Sequence, residues 1–225
     1  MTTPTLATFT GARNRRGTVR LVHDTGHVEH HDVDRWWRDA DAVDRSALAR
    51  CDGPTVDIGC GPGRLSLALT LRGVATLGID VCREAVVTTR ARGAAAIRRD
   101  VFATLPGEGR WHWALLADGN IGIGGDPGRL LRRVAGIVTP DGKVLVEVSP
   151  GDVDLRGHSR IQDADGHLGS PFPWAVLGGP ALARLARRGG WTVEQSWRDG
   201  GRHFVVLHRV VRRRGEPTEG SHASA

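Results

Sequence analysis

The sequence predicts an α/β protein built on a doubly wound, mostly parallel sheet of seven strands with an antiparallel final strand. Three observations carry this. From residue 55 to about 150, short apolar or β-branched runs alternate with amphipathic stretches, the pattern of successive βαβ units. A glycine-rich turn, "VDIGCGPGRL" at residues 56–65, joins the first of those strands to a helix. The chain then closes on two strand-like runs, "WTVEQSW" and "HFVVLHR", about the turn "RDGGR", which suits an antiparallel pair.

The elements follow in order. Residues 1–33 are expected to form an N-terminal tail and hairpin, with strands in "TVRLVHDTGHVEHHD" about Asp24-Thr25-Gly26. The start lacks the basic-then-apolar order of a secretory leader. "DRWWRDADAVDRSALAR" has apolar residues at helical spacing, with Asp34 as its expected N-cap. Strand "TVDIG" leads to helix "RLSLALTLRG", ended by Gly73; strand "ATLGID" leads to helix "CREAVVTTRARG", ended by Gly93. Strands "AAAIRRD" and "HWALLAD" follow. Helix "PGRLLRRVAGIV" has Asp126 as N-cap and Pro127 at its first position, and the turn Thr139-Pro140-Asp141-Gly142 delivers strand "KVLVEVS". Residues 150–177 are long, polar and irregular, which marks a substrate-side insert within a domain spanning 34–211. Helix "PALARLARRGG" precedes the two closing strands, and residues 212–225 read as a disordered basic tail.

At 225 residues the chain fits one domain with a full core. No apolar run reaches the roughly 18 residues of a membrane span. Cys51, Cys60 and Cys82 form no CxxC pair, which argues against a disulfide framework or structural zinc and for a reducing cytoplasm. The net charge of +6 rests almost wholly on arginine, with Lys143 the sole lysine. A GC-rich coding bias accounts for that as well as a polyanion partner does, and the charge is spread along the chain.

The glycine turn carries the chemistry. Glycine there permits positive φ and lets backbone approach a ligand without a Cβ in the way. The helix behind it offers unpaired N–H groups and a partial positive charge to an anion. A dinucleotide loop would place a third glycine at position 64, where Arg64 stands, and a phosphate P-loop would end in Gly-Lys-Ser/Thr. The second strand ends in Asp80, an acid placed to accept ribose hydroxyls or, more blandly, to cap the next helix. The third ends in Asp100, Val101 and Phe102, suited to an exocyclic amine and a flat ring. Asp118 and Asn120 close the fourth strand beside the glycine loop, at the switch point where such sheets bind ligands.

Together "VDIGCGPG", "LGID", "RRDVF", "LLADGN" and "TPDGKVLVEV" resemble the class I S-adenosylmethionine-dependent methyltransferases over roughly residues 36–150. The resemblance implies a Rossmann-like methyltransferase fold, with S-adenosyl-L-methionine as cofactor. It implies that Asp57, Gly59, Cys60, Gly61 and Gly63 surround the methionine part. Asp80 would hold the ribose, Val81 would touch adenine, Asp100 and Val101 would recognise its edge, and Asp118 would border the cofactor. "ADGNIGIGGDP" departs from the Asn/Asp-Pro-Pro-aromatic signature of enzymes that methylate amino groups of adenine or glutamine.

Methyl transfer from a sulfonium is an in-line displacement in which the protein mostly aligns a nucleophile, with a base needed only for a protonated, weakly acidic acceptor. Catalytic candidates are Asp118, Asn120, His158 and His167; substrate contacts are expected from Trp37, Asn120 and Trp174. Each has a plain alternative: solvated loop histidines, a carboxylate serving local backbone, tryptophans serving as core. Strand alternation puts His27, Glu29 and His31 on one face and His30 on the other, but such clusters are common on exposed strands and no metal is expected. The expected activity is methyl transfer to a small molecule in a monomer or homodimer, with no membrane or nucleic-acid partner. The rival readings are an RNA or protein methyltransferase and a cofactor-binding module without catalysis.

Overall fold

A computed structural model describes residues 17–163 and 165–210. The N-terminal tail before residue 17 and the expected basic tail at 212–225 lie outside the described residues. Seven strands form the central sheet: β3 (Thr55–Ile58), β4 (Thr76–Asp80), β5 (Ala96–Arg98), β6 (Trp111–Leu116), β7 (Val138–Val148), β12 (Trp191–Asp199) and β13 (Arg202–Arg209). Their order is β12-β13-β7-β6-β3-β4-β5. The five strands from β7 to β5 are parallel, and β13 runs antiparallel to both β7 and β12. The expected doubly wound sheet is therefore present. Its switch point lies at β3, which has β4 on one side and β6 on the other.

Alternation along the central strands builds two cores. Ala114, Leu116, Val144 and Val146 face α5 (Pro127–Ile137) and α6 (Gly179–Arg188), where Leu130, Leu131, Val134 and Leu182 are buried. The intervening Leu115 and Leu145 face the opposite way, onto Leu48 of α2 (Ala42–Leu48) and Leu65 and Leu69 of α3 (Arg64–Leu71). Helix α4 (Arg83–Ala91) sets Val86 against Cys60 and Ala96. Asp126 caps α5 as its sequence position predicts, accepting from the Arg129 N–H.

Two expectations are corrected. The single helix expected from Asp34 is two: α1 (Val33–Trp37), capped by Asp32, and α2, opened by a capping box in which Asp41 and Asp44 accept each other's backbone N–H. The strong second cap restarts the helix, so the chain turns between Arg38 and Asp41.

The stretch 150–177 is also more regular than its composition suggests. It holds β8 (Asp154–Leu155), β9 (His158–Gln162), β10 (Phe172–Pro173) and β11 (Val176–Leu177). β9 pairs with β1 (Thr18–His23), which pairs with β2 (Val28–Asp32), giving a four-stranded antiparallel sheet in the order β10-β9-β1-β2. The N-terminal hairpin and the insert are thus one cap. Its inner face buries Val19, Leu21, Ile161 and Phe172 with Trp174.

Candidate active site

A cavity opens between the carboxyl edge of the central sheet and the cap, with about 1020 Å³ of empty space including its open mouth. One wall is the glycine loop with the ends of β4 and β6; the other brings His31, Trp36, Ile123 and Trp174 from the cap side.

The loop is held by a few specific bonds. The N–H groups of Gly59 and Cys60 both donate to the Ile79 carbonyl, at 2.9 and 3.0 Å. Asn120 clamps the loop from the β6 side, its Nδ2 donating to the carbonyls of Ile58 (2.9 Å) and Gly59 (3.0 Å). Glycine is required at 61 and 63 for different reasons. Gly61 has φ +54° and a Cβ there would meet nothing within 4 Å, so it presents bare backbone in the cavity wall. Gly63, at φ +87°, would put a Cβ 2.6 Å from Thr89 Cγ2; it lets α4 pack close and does not line the cavity. Thr89 Oγ1 in turn donates to the Gly61 carbonyl at 2.8 Å. Helix α3 begins behind this loop with no side-chain cap, so its first N–H groups are left for an anion.

Three carboxylates stand around the loop. Asp57 is buried; burial pushes its carboxyl up to about 6, although Ser66 Oγ donates to it at 2.6 Å. Asp80 accepts from the N–H of Cys82 (2.8 Å) and of Gly61 (3.0 Å). Burial raises it more than those bonds lower it. Asp100 accepts from the Phe102 N–H at 2.9 Å. Val81, Arg99 and Val101 complete this end. Cys60 also lines the cavity, and burial raises its thiol well above the ordinary range, which keeps it protonated.

At the seam between loop and cap lies a network of three arginines and three acids. Arg64 donates to Asp44 and, at 2.6 Å, to Asp118. Arg35 and Arg202 reach the other oxygen of Asp44 at 2.8 and 2.7 Å. Arg202 grips both oxygens of Glu147 at 2.6 Å, and Glu147 accepts the Asp118 N–H at 2.8 Å. Burial alone would raise Asp44, but the hydrogen bond and charge of Arg64, with Arg202 and Arg35, hold it far below the usual carboxylate range. Asp118 lines the cavity with φ +52°, a left-handed conformation that a non-glycine residue adopts at a cost, and both its oxygens face guanidinium groups.

Of the residues expected from sequence, Asp57, Gly59, Cys60, Gly61, Asp80, Val81, Asp100, Val101, Asp118, Asn120 and Trp174 line the cavity. Gly63 supports it from behind. His158 and His167 do not line it: His158 is exposed on β9, and His167 sits on a surface turn with Asp163 and Asp165. Trp37 is 46% exposed and Trp36 takes the inward place, because the short α1 turns only one of the two indoles toward the cap core. Sequence reasoning missed Arg64 as a seam residue and His31 as a cavity residue. The signals were present, in the displaced third glycine and in the shared face of Glu29 and His31.

No protein-family model matches the chain, and no curated protein matches it by sequence. Solved structures do. A SAM-dependent methyltransferase from Bacteroides fragilis, in complex with S-adenosyl-L-homocysteine, superposes with a TM-score of 0.70 at 22% identity, over 92% of this chain and 93% of that one. The 1,6-didemethyltoxoflavin-N1-methyltransferase of Burkholderia thailandensis gives 0.55 at 22%, over 80% and 84%. The glycopeptide N-methyltransferase MtfA gives 0.59 at 15%, over 77% and 91%. The chain therefore has the Rossmann-like fold of the class I methyltransferases.

Proposed function

We propose that this protein is an S-adenosylmethionine-dependent methyltransferase acting on a small-molecule acceptor in the cytoplasm. The observation that carries the reading is the single chamber shared by the glycine-loop wall and the aromatic cap wall, with Gly61 presenting bare backbone beside an uncapped helix start. The donor set fits the cofactor. The start of α3 and the N–H groups of the loop suit an amino-acid carboxylate. Each Asp80 oxygen already takes one backbone N–H and has a further lone pair for a ribose hydroxyl. Asp100 with Val81 and Val101 suits a purine edge and face. When bound, the cofactor supplies a methyl group already activated by its sulfonium.

The protein's part is alignment. The loop and Asp80 fix one reactant, Trp36, Ile123 and Trp174 pack the other, and the cap limits the acceptor to what the chamber holds. Two of the similar structures support a small acceptor by their names, 1,6-didemethyltoxoflavin in one and a glycopeptide in the other. The free, buried Cys51, Cys60 and Cys82 agree with a reducing compartment, and among the described residues no helix is long and apolar enough to cross a membrane.

Calorimetry with S-adenosylhomocysteine tests the reading. The protein should bind it and should not bind NAD, and Asp80→Ala should weaken binding about tenfold or more, ~1.4 kcal/mol. Absence of binding by the wild-type protein rejects the enzyme assignment; unchanged affinity in the variant reduces Asp80 to a fastener between loop and helix.

A further inference from the structure

We propose that His31 is the base that takes the acceptor's proton, that the charge of Glu29 stabilises the imidazolium so formed, and that the acceptor is a planar aromatic carrying an ionisable hydroxyl. This rests on the methyltransferase reading above.

The cap's inner face is apolar on its central strands and polar on one. In register, Glu29 lies opposite Leu21 and His31 opposite Val19, so the face that carries Leu21 and Val19 on β1 carries a carboxylate and an imidazole on β2. Their side chains are only 17% and 16% exposed. Turning such groups inward costs stability, and departures of this kind from a strand's pattern concentrate at functional sites. Glu29 is anchored from outside the cap: Ser149, just after β7, donates its hydroxyl to Oε1. The other oxygen lies 3.9 Å from His31 Nε2. At that distance the carboxylate makes no hydrogen bond to the ring but stabilises it by charge once it is protonated.

His31 is the sole imidazole among the residues lining the cavity. Its Cε1 edge lies toward Gly119, where an added Cβ would stand 3.9 Å away, so the ring borders the seam next to Asp118 and Asn120. The four carboxylates of the wall are engaged. Asp57 holds Ser66, Asp80 and Asp100 hold backbone N–H groups, and Asp118 faces Arg64 and Arg35. An imidazole accepts a proton on one ring nitrogen, which is what a base for a weakly acidic hydroxyl must do. Trp36 lies beside the ring, centroids 6.3 Å apart, and Trp174 borders the same chamber, which suits a flat acceptor.

In the step itself the hydroxyl proton passes to His31 as the acceptor oxygen bonds the methyl carbon. The carbon–sulfur bond breaks and its electron pair stays on sulfur. The imidazolium then returns the proton to water.

The test uses protein loaded with S-adenosylhomocysteine and 4-nitrophenol as probe, because its anion absorbs visible light and its neutral form does not. Below the pH at which the free phenol ionises, the wild-type complex should bind the probe, quench tryptophan fluorescence and raise the anion absorbance. His31→Gln should keep the quenching and lose the anion, and added imidazole should restore it in His31→Ala. Glu29→Gln should leave S-adenosylhomocysteine affinity unchanged and lower the anion fraction roughly tenfold, because the charge that stabilises the transferred proton is gone. A wild-type protein that fails to bind S-adenosylhomocysteine overturns the methyltransferase reading. Normal binding of it, with no probe binding or with an anion signal that survives in His31→Gln, overturns this inference alone. Loss of S-adenosylhomocysteine binding in Glu29→Gln makes Glu29 a structural tether and removes it from the proposal.

Discussion

The two walls of the cavity are built by opposite means. The sheet-edge wall is local: a strand, a glycine turn and a helix within residues 55–71, braced by Asp80 at the end of the next strand. The cap wall is assembled from afar, with His158 and Asp24, 134 positions apart, joined where β9 meets β1. The first wall depends on backbone geometry that only glycine provides, the second on side-chain packing of Leu21, Ile161, Phe172 and Trp174. What joins them is the charge network at the seam, where Arg35 from α1 on the cap side meets Asp44, Arg64 and Asp118 from the sheet side.

Breaking the seam should have the largest effect. Asp44→Ala leaves three guanidinium groups around an empty place, and removing one partner of a buried ionic cluster costs about 3–5 kcal/mol. Urea unfolding measures it, and a loss under about 1 kcal/mol, the size of an exposed pair, would mean that the walls stand independently.

A second experiment sharpens the contrast in acidity between Asp44 and Asp57. Burial raises the Asp57 carboxyl to about 6, so the folded state keeps a proton that the unfolded chain has lost. Stability should therefore fall as pH rises from about 4 to about 6, by ~2–3 kcal/mol in all. Asp57→Asn should remove its share of that slope, leaving the part of the same sign that Asp80, also raised by burial, contributes. Asp44 has the opposite sign: its contribution is present above the unfolded carboxylate's pKa, about 3.9, and fades only in stronger acid. A wild-type stability curve that is flat over the Asp57 window would refute this account of the buried acid.

The smallest effects separate two glycines of one loop. Gly63→Ala meets Thr89 as well as left-handed strain, and should cost roughly 2–3 kcal/mol of stability. Gly61→Ala carries only the strain, about 1 kcal/mol, but places its methyl in the cavity wall and should weaken S-adenosylhomocysteine binding more than tenfold, or about 1.4 kcal/mol. Equal thermal shifts with equal affinities would erase the distinction between a packing glycine and a ligand-facing one.

Legibility in the sequence followed the same divide. The glycine spacing, Asp80, Asp100 and the Asp126 cap were readable because each acts on backbone within a few residues of itself or at a strand end that the βαβ pattern fixes. The cap was not, because the pairing of residues 20–23 with 159–162 leaves no local trace; the insert's many polar and glycine residues read as irregular although β9 is a central strand of the cap. The placement of Trp36 over Trp37 turned on where α1 stops, which depends on the competing cap at Asp41. Asp118 and Asn120 were found by position, but their bonds to Arg64 and to the loop carbonyls required three-dimensional partners. Gly122 and Gly125 in "GIGG" became intelligible only once the cap was seen to press upon them, at Trp174 and at the Gly157 carbonyl.

The strand order of the cap also sets a timetable for synthesis. Its first hairpin leaves the ribosome early and must wait for β9 before its inner face is covered, while the five parallel strands are made in between. The roof of the cavity is therefore made after its glycine-loop wall, and α6, β12 and β13, which complete the central sheet and its cover, are made after both.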